Sequence, residues 1–136
     1  MQNSRFSVSI HILTLLARAG DTLLSSDYIA GSINIHAVLV RKELINLRTH
    51  KLVTSKEGKN GGYHLKKAAG DIYLSDVYRA IHPNTLLTKS KNKANPLCPV
   101  GSRIDTHLTR LYRETEKAIL GSLGKTTLQK FAIPFH

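Results

Sequence analysis

The stretch from residue 26 to residue 65 constrains the fold most, because two helical segments there are followed by a basic hairpin. Residues 26–32 are predicted to form the first helix, since the Ser and Asp at its start are common helix-initiating residues. Residues 31–34 include a Gly and an Asn, which accept the left-handed conformation of a tight turn. Residues 36–51 are predicted to form the second helix. Such spacing is typical of a helix-turn-helix unit.

The second helix is predicted to have two different faces. Its apolar residues recur at spacings of three and four, which places them on one side, where we expect the core: Ala37, Val40, Leu44 and Leu47. The opposite side and its flanks combine cations with short side chains: Val38, Arg41, Lys42, Ile45, Arg48 and Thr49. In a DNA major groove, cations can contact phosphates or guanine edges, and small apolar groups can contact thymine methyls. The pattern therefore predicts a DNA-recognition helix.

A β-hairpin is predicted directly after this helix. Residues 52–55 and 63–65 are strand-like, and Asn60, which a Gly follows, is a strong hairpin signal. Lys56 and Lys59 lie near the tip, where they can contact a phosphate backbone. Taken alone, the segment could be a solvated hairpin with incidental lysines. Behind a helix pair, we interpret it as a DNA-binding wing in which Lys56, Lys59 and Asn60 make the contacts.

The charge balance predicts a polyanionic partner. The chain has 20 Lys and Arg against 9 Asp and Glu, a formal net charge of +11 and a pI near 10.1, which favours nucleic acid. A membrane partner is not expected, because no stretch reaches the ~18 apolar residues that span a bilayer. The single cysteine, Cys98, excludes an intrachain disulfide and a multi-cysteine zinc site. We expect a cytoplasmic protein.

The amino-terminal segment imitates a secretion signal, since Arg5 precedes an apolar run that ends in Ala-Arg-Ala-Gly. Polar residues at positions 7, 9, 11 and 14 interrupt the run, so this interpretation is rejected. Residues 4–18 are instead predicted to form an amphipathic helix with one apolar face: Phe6, Ile10, Leu13 and Ala17.

A short helix and a long loop are predicted after the hairpin. A polar loop at 66–71 and a short extended piece lead to a helix at 76–82, which Ser75 would cap and Pro83 would end. Residues 84–99 lose all periodicity and are predicted to be a loop or linker.

A long helix is predicted at 102–120, followed by a last short helix that Thr126 or Thr127 would cap. Residues at alternating spacings of four and three form a heptad-like seam along the long helix: Ile104, Leu108, Leu111, Thr115 and Ala118. The seam could pack on the chain's own domain or pair with a second copy. Pairing is favoured, because helix-turn-helix units usually bind as symmetric dimers to half-sites ~34–36 Å apart. Three regions are thus predicted: a winged helix-turn-helix domain at 1–83, a loop at 84–101 and a dimerisation region at 102–136.

No catalytic or metal site is predicted. The segment GSLGKT at 121–126 imitates the end of a phosphate-binding loop, but the first glycine of that motif would fall at Ile119, and a helix precedes it instead of a strand. The seven histidines are scattered, with no pair spaced to hold a metal ion. Neither an enzyme nor a cofactor is expected.

Cys98 has two possible roles. It lies just before the long helix, where the partial positive charge of a helix N-terminus favours the reactive thiolate, as in a redox sensor. A free cysteine can equally be a small apolar residue that fills a gap in a loop. The sequence leaves both open.

Three motifs carry a resemblance to a known family: Leu47-Arg48 with Leu52-Val53, then GGYHL at 61–65, and IYLSDVYRA at 72–80. With them, nearly the whole chain resembles the Rrf-type winged-helix transcriptional regulators, the family of IscR, NsrR and CymR. The resemblance implies a homodimer joined through the long helix, with the recognition helix in the major groove and the wing beside it. The family's contact positions on that helix fall on His36, Val38 and Arg41.

The chain departs from the family in two places. Family members with an iron–sulfur cluster use three cysteines in the loop before the long helix, and this loop has only Cys98, in NPLCPVG. The resemblance therefore implies a single-cysteine subgroup without that cluster. In the wing, Glu57 replaces an arginine common in the family, and Lys56 and Lys59 would supply the positive charge instead.

The sequence predicts a mainly α protein with a small hairpin, which binds a palindromic DNA operator as a homodimeric repressor. Val38 and Arg41 would read bases, while Lys42, Arg48 and the wing would hold phosphates. Cys98 or a small effector would modulate binding. The alternative is a non-catalytic adaptor that binds RNA or a protein through the winged domain.

Overall fold

The computed structural model describes residues 4–81, 87 and 89–135, and within them the chain is mainly helical with one two-stranded antiparallel sheet. The α-helices are α1 (Ser4–Ala19), α2 (Ser26–Ile33), α3 (Ala37–Thr49), α4 (Leu74–Ile81), α5 (Ile104–Leu123) and α6 (Leu128–Ala132). The strands are β1 (Val53–Lys56) and β2 (Gly62–Leu65), and short 3₁₀ turns occupy Ala69–Asp71 and Ile133–Phe135. The predicted fold class is confirmed.

The core forms around α1, which packs against α2, α3, α4, α6 and β2. Ile12, Leu13 and Leu16 of α1 are fully or almost fully buried. The predicted inner face of α3 meets them, with Val40, Leu44 and Leu47 fully buried and Ala37 partly buried. Removal of these side chains from water is the main driving force that holds the helices together.

The turn between α2 and α3 depends on two polar residues. Ser25 caps α2, since its Oγ accepts a hydrogen bond from the amide of Tyr28 at 3.0 Å. The helix starts at Ser26 as predicted, but its cap is Ser25, one residue before the serine that was interpreted as the start signal. Asn34 takes the left-handed conformation, with a φ of 64°, and its amide donates to the carbonyl of Ala30 at 2.8 Å.

The wing is an antiparallel hairpin in which Val53 lies opposite Leu65 and Lys56 opposite Gly62. Leu24, which precedes α2, extends the sheet, because its amide donates to the carbonyl of Tyr63 at 3.0 Å and its carbonyl accepts from the amide of Tyr63 at 2.8 Å. Only glycine fits at Gly62, where φ is 155° and a Cβ would lie 2.8 Å from the Leu24 carbonyl oxygen. The wing and the start of α2 are thus joined.

Helix α4 starts earlier than predicted. It begins at Leu74, and Asp76 accepts a hydrogen bond from the amide of Tyr73 at 2.9 Å through its Oδ2. Ser75 lies buried inside the first turn, so the prediction that it caps the helix was wrong. The predicted end at residues 82–83 lies outside the described residues, as do residues 84–86 and 88 of the predicted loop.

The carboxyl end of α4 is held by side chains of two other helices. Nδ2 of Asn46, on α3, donates to the Ala80 carbonyl at 2.9 Å, and Nη1 of Arg5, on α1, donates to the Ile81 carbonyl at 3.3 Å. Carbonyls in the last turn of a helix lack partners within that helix. Here α1 and α3 provide them, so the end of α4 is tied to α3.

Helix α5 covers residues 104–123, where 102–120 was predicted. All its residues are described, and none of them is buried. After it the chain returns to α1: the Thr127 hydroxyl caps α6 by accepting from the Lys130 amide at 3.1 Å, and Leu128 and Ala132 are buried. Among the described helices, none is long and apolar enough to cross a bilayer.

Candidate nucleic-acid interface

Helix α3 presents a mixed polar and apolar surface to solvent. Val38 and Ile45 are 54% and 55% exposed, whereas Val40, Leu44 and Leu47 on the other face are at 0%. The predicted polar residues of this surface are exposed as well: Arg41, Lys42, Arg48 and Thr49. The six predicted contact positions from 36 to 48 are thus all exposed, five of them on the outward side of α3 and its flanks and His36 at the N-cap.

His36 marks the start of α3. Its Nδ1 accepts a hydrogen bond from the amide of Val38 at 3.2 Å, so the imidazole caps the helix while the residue remains exposed. A capping Nδ1 must carry a lone pair, which fixes the tautomer of a neutral imidazole with the proton on Nε2. His36 therefore supports the geometry of the helix end at which base contacts are expected.

Two arginines connect α3 with its neighbours. Nη1 of Arg41 lies 3.4 Å from the Ser26 hydroxyl and 3.9 Å from Oδ1 of Asp27, both in the first turn of α2. Nη1 of Arg48 donates to the Ser55 hydroxyl in β1 at 3.0 Å. Arg41 is therefore directed towards α2, and Arg48 towards the wing.

The wing brings its predicted residues to one exposed tip. Lys56, Lys59 and Asn60 are all exposed, and Asn60 adopts a left-handed φ of 66° in the turn. Because the Leu24–Tyr63 hydrogen bonds fix the hairpin beside α2, a concave space of about 560 Å³ lies between this tip and the start of α2.

Two exposed side chains beside this surface were not predicted. Tyr28 is 60% exposed and lines the space between α2 and the wing, and Leu39 on α3 is 52% exposed. A tyrosine hydroxyl can donate to a phosphate oxygen, and Leu39 adds apolar contact area. Leu39 was detectable, since it lies outside the apolar stripe of α3. The exposure of Tyr28 could have been predicted in the same way, from the positions of the apolar residues of α2 around the helix axis.

Cys98 lies in a series of turns that lead into α5. The Ser102 amide donates to the Cys98 carbonyl at 2.8 Å, and the Ile104 amide donates to the Val100 carbonyl at 2.8 Å. The amides of Gly101 and Val100 donate to the sulfur and lower the pKa of the Cys98 thiol below its ordinary value. The sequence predicted that the N-terminus of the long helix would favour the thiolate. Helix α5 begins six residues after Cys98, and it is the turn amides that favour the thiolate instead.

The residues around this loop do not fit a metal cluster. Iron–sulfur clusters are held mainly by several thiolates, and Cys98 is the one cysteine of the sequence. Across the described ranges, no group of three His, Cys, Asp or Glu side chains is placed to hold a metal ion. A cluster that needs three cysteine ligands from one chain therefore lacks two of its ligands here.

Residues 2–133 match the profile of the Rrf2 family, which is described as iron-dependent transcriptional regulators. The chain is 36% identical over 129 residues to YwnA of Bacillus subtilis, named as a candidate HTH-type transcriptional regulator, and the match covers 95% of each chain. A solved candidate DNA-binding protein is 33% identical, with a TM-score of 0.74 over 94% of this chain and 98% of that one. The B. subtilis global cysteine regulator CymR shares the fold, with a TM-score of 0.70 at 23% identity over 95% and 93% of the chains.

Proposed function

This chain belongs to the Rrf2 family of transcriptional regulators, and from that premise we propose that it represses transcription as a homodimer bound to a palindromic operator. The observation that carries the proposal is the accessible face of α3, where cations stand beside exposed Val38 and Ile45 while the opposite face is buried. Single exposed apolar side chains are common on protein surfaces, but Val38 and Ile45 share one face of α3 two turns apart, and Leu39 beside them is exposed as well. In a major groove, both kinds of side chain find partners.

Each exposed residue has a proposed role. His36, Val38 and Arg41 contact base edges near the start of α3, and Ile45 contacts a thymine methyl. Phosphates are held by Lys42, Arg48, Lys56, Lys59 and Asn60. The hydrogen bond from Arg48 to Ser55 supports this division, because it directs a cation towards the wing.

The dimer is proposed to form through the seam of α5: Ile104, Leu108, Leu111, Thr115 and Ala118. Leu111 is 54% exposed in the single chain, and a helix about 30 Å long with no buried residue is unusual without a partner. Two copies related by a twofold axis would cover this face and place two α3 helices on successive major grooves. The operator would then be palindromic, and its occupation would block the promoter.

A signal is proposed to act through Cys98 or through a small effector. The lowered pKa of the Cys98 thiol supports the first route, because the thiolate is the form that oxidants and electrophiles attack. A Cys98→Ser protein should then keep its DNA affinity when peroxide is added, whereas the unchanged protein loses it.

The second candidate function is an adaptor that binds RNA, which the charge of +11 also favours. Selection from a random duplex library, followed by competition of the recovered duplex against bulk RNA, separates the two. We expect the duplex to displace bulk RNA, and Arg41→Ala to reduce this preference by about tenfold or more, while Arg110→Ala, on exposed α5, leaves it intact. Equal competition by RNA would favour the adaptor.

A further inference from the structure

A crevice of about 880 Å³ opens between α4 and α5, away from α3 and the wing. Its walls carry four cationic side chains and one carboxylate: Arg79, Lys89, Arg113, Lys117 and Glu116. Small-molecule sites commonly have volumes of this order and combine apolar walls with a few charged groups. The charges here favour an anion.

The cations of the crevice are available to a ligand. Within the described part of the chain, neither Arg113 nor Lys117 forms an ion pair, and Nη1 of Arg79 lies 3.8 Å from Oδ1 of Asp76 in an exposed pair of little strength. Burial of Tyr78 and, second to it, the negative charge of Glu116 raise the pKa of Tyr78. This one carboxylate faces four cations in the walls. The positive charge of the walls is therefore not cancelled.

The remaining walls are apolar. Leu87, Leu120 and the ring of Tyr112 line the crevice between the charged groups. An inorganic ion would leave these surfaces in contact with water. A small organic anion with an aromatic or aliphatic body would cover them while its charged group faces Arg113 and Lys117.

The crevice and the seam lie on different sides of α5. At 100° per residue, the α5 residues of the crevice are centred roughly 150° around the helix from the seam. Thr109, Tyr112, Arg113 and Leu120 belong to the first set, and Leu108 and Leu111 to the seam. A dimer paired through the seam would leave the crevice open.

The crevice is mechanically connected to the proposed DNA-reading helix. Arg79 directly precedes Ala80, whose carbonyl accepts the hydrogen bond from Asn46 of α3 at 2.9 Å. The next carbonyl, that of Ile81, accepts from Arg5, which is ion-paired with α3. A ligand that draws Arg79 into the crevice therefore acts on the turn of α4 that α3 holds.

We propose that this crevice binds a small organic anion with an apolar body, and that its occupation alters DNA affinity through the Ala80–Asn46 connection. The binding half depends only on the observed crevice. The second half rests on the proposed function. The two halves are measured separately, so that a failure of one is distinguishable from a failure of the other.

The binding half is tested with 1-anilinonaphthalene-8-sulfonate, whose fluorescence rises on binding, and with N-phenyl-1-naphthylamine, which has the same rings without the sulfonate. We expect the sulfonate to bind at least about tenfold more tightly to the full chain, and this preference to disappear in the double variant Arg113→Ala, Lys117→Ala. Both side chains are exposed, so the core is unaffected. Arg110→Ala on the same helix should leave the preference unchanged.

Two results would overturn the binding half. Equal binding of the neutral probe would mean that the site is only an apolar patch. A sulfonate signal that survives in the double variant but is lost in Arg18→Ala would place the anion in the groove between α1 and Phe131.

The coupling half is tested with the selected DNA duplex. Saturating sulfonate probe should change its Kd by about fivefold or more, within the usual range of allosteric coupling. In Asn46→Ala the probe should still bind, and the ratio of the duplex Kd with probe to the duplex Kd without probe should approach one. An unchanged duplex Kd in the wild-type chain, with the anion bound, would overturn the coupling. If no duplex outcompetes RNA, the proposed function fails while the binding result still stands.

Discussion

Arg5 donates two hydrogen bonds to Glu43, from Nε to Oε2 at 2.9 Å and from Nη2 to Oε1 at 3.1 Å, and so ties the first turn of α1 to the middle of α3. The Glu43 side chain is only 9% exposed, and the Arg5 side chain 33%. A two-pronged pair of this kind fixes orientation as well as distance. The helix proposed to read DNA is thereby held from its buried side.

Replacement of Glu43 by Gln should destabilise the fold by about 2 kcal/mol, because Arg5 would lose a charge-assisted partner in a partly dry site. The measurement is urea unfolding at neutral pH. Glu57→Gln, in the exposed wing turn, is the matched control and should change the free energy of unfolding little. If both variants unfold at the same urea concentration, the pair contributes nothing to stability.

Replacement of Arg41 by Ala should relax specificity at one base pair by ~1–3 kcal/mol, since one bidentate contact to a base edge would be lost. The measurement is the affinity for every single-base variant of the selected duplex. Lys59→Ala is the control for a phosphate contact: it should weaken all duplexes alike and lower the salt slope by about one. An Arg41→Ala protein that ranks the duplexes as the unchanged protein does would show that Arg41 reads no base.

Replacement of Leu111 by Glu should convert the proposed dimer to monomers without unfolding them. The side chain is 54% exposed in the single chain, so a carboxylate there stays solvated in the monomer but would be buried without a partner in the dimer. Sedimentation velocity measures the mass, and circular dichroism the fold. Arg110→Glu, beside it on α5, should remain dimeric. Dimers of unchanged affinity in Leu111→Glu would show that the seam is not the interface.

Alkylation of Cys98 by iodoacetamide should reach its half-maximal rate at a lower pH in the folded protein than in the same protein in urea. The reason is that the amides of Gly101 and Val100 stabilise the thiolate and lower the pKa of the folded thiol. Since the thiolate is the reacting form, the rate falls as pH drops through this pKa in each state. Equal midpoints in both states would show that the turn does not activate the sulfur.

The two faces of α3 were predictable because they depend on residues three and four positions apart. On α1 the prediction was correct only in part: Ile10 and Leu13 are buried as predicted and Phe6 and Ala17 partly buried, whereas the buried Ile12 and Leu16 lay outside the predicted face. Residue spacing alone determines which side chains share a helix face, and the core then selects the apolar one. The hairpin was equally local, since Asn60 takes its left-handed φ in the turn itself.

Features that join distant parts of the chain were not predictable. Arg5 and Glu43 are 38 positions apart, and nothing local in α3 distinguishes a buried, paired glutamate from an exposed one. Ser75 failed as a cap for a related reason: Asp76 beside it bonds the Tyr73 amide, and tertiary packing draws Ser75 into the core. Such choices are made by neighbours in space, not in sequence.

The hydrogen bonds between Leu24 and Tyr63 have a consequence for shape recognition. They join the wing to the start of α2 and so restrict the distance between the hairpin tip and α3. This distance would therefore adapt little from one duplex to another. DNA whose minor groove beside the half-site is too wide or too narrow would have to bend to meet both elements, at an elastic cost set by its own stiffness. Base steps that no side chain touches would then still decide which promoters are occupied.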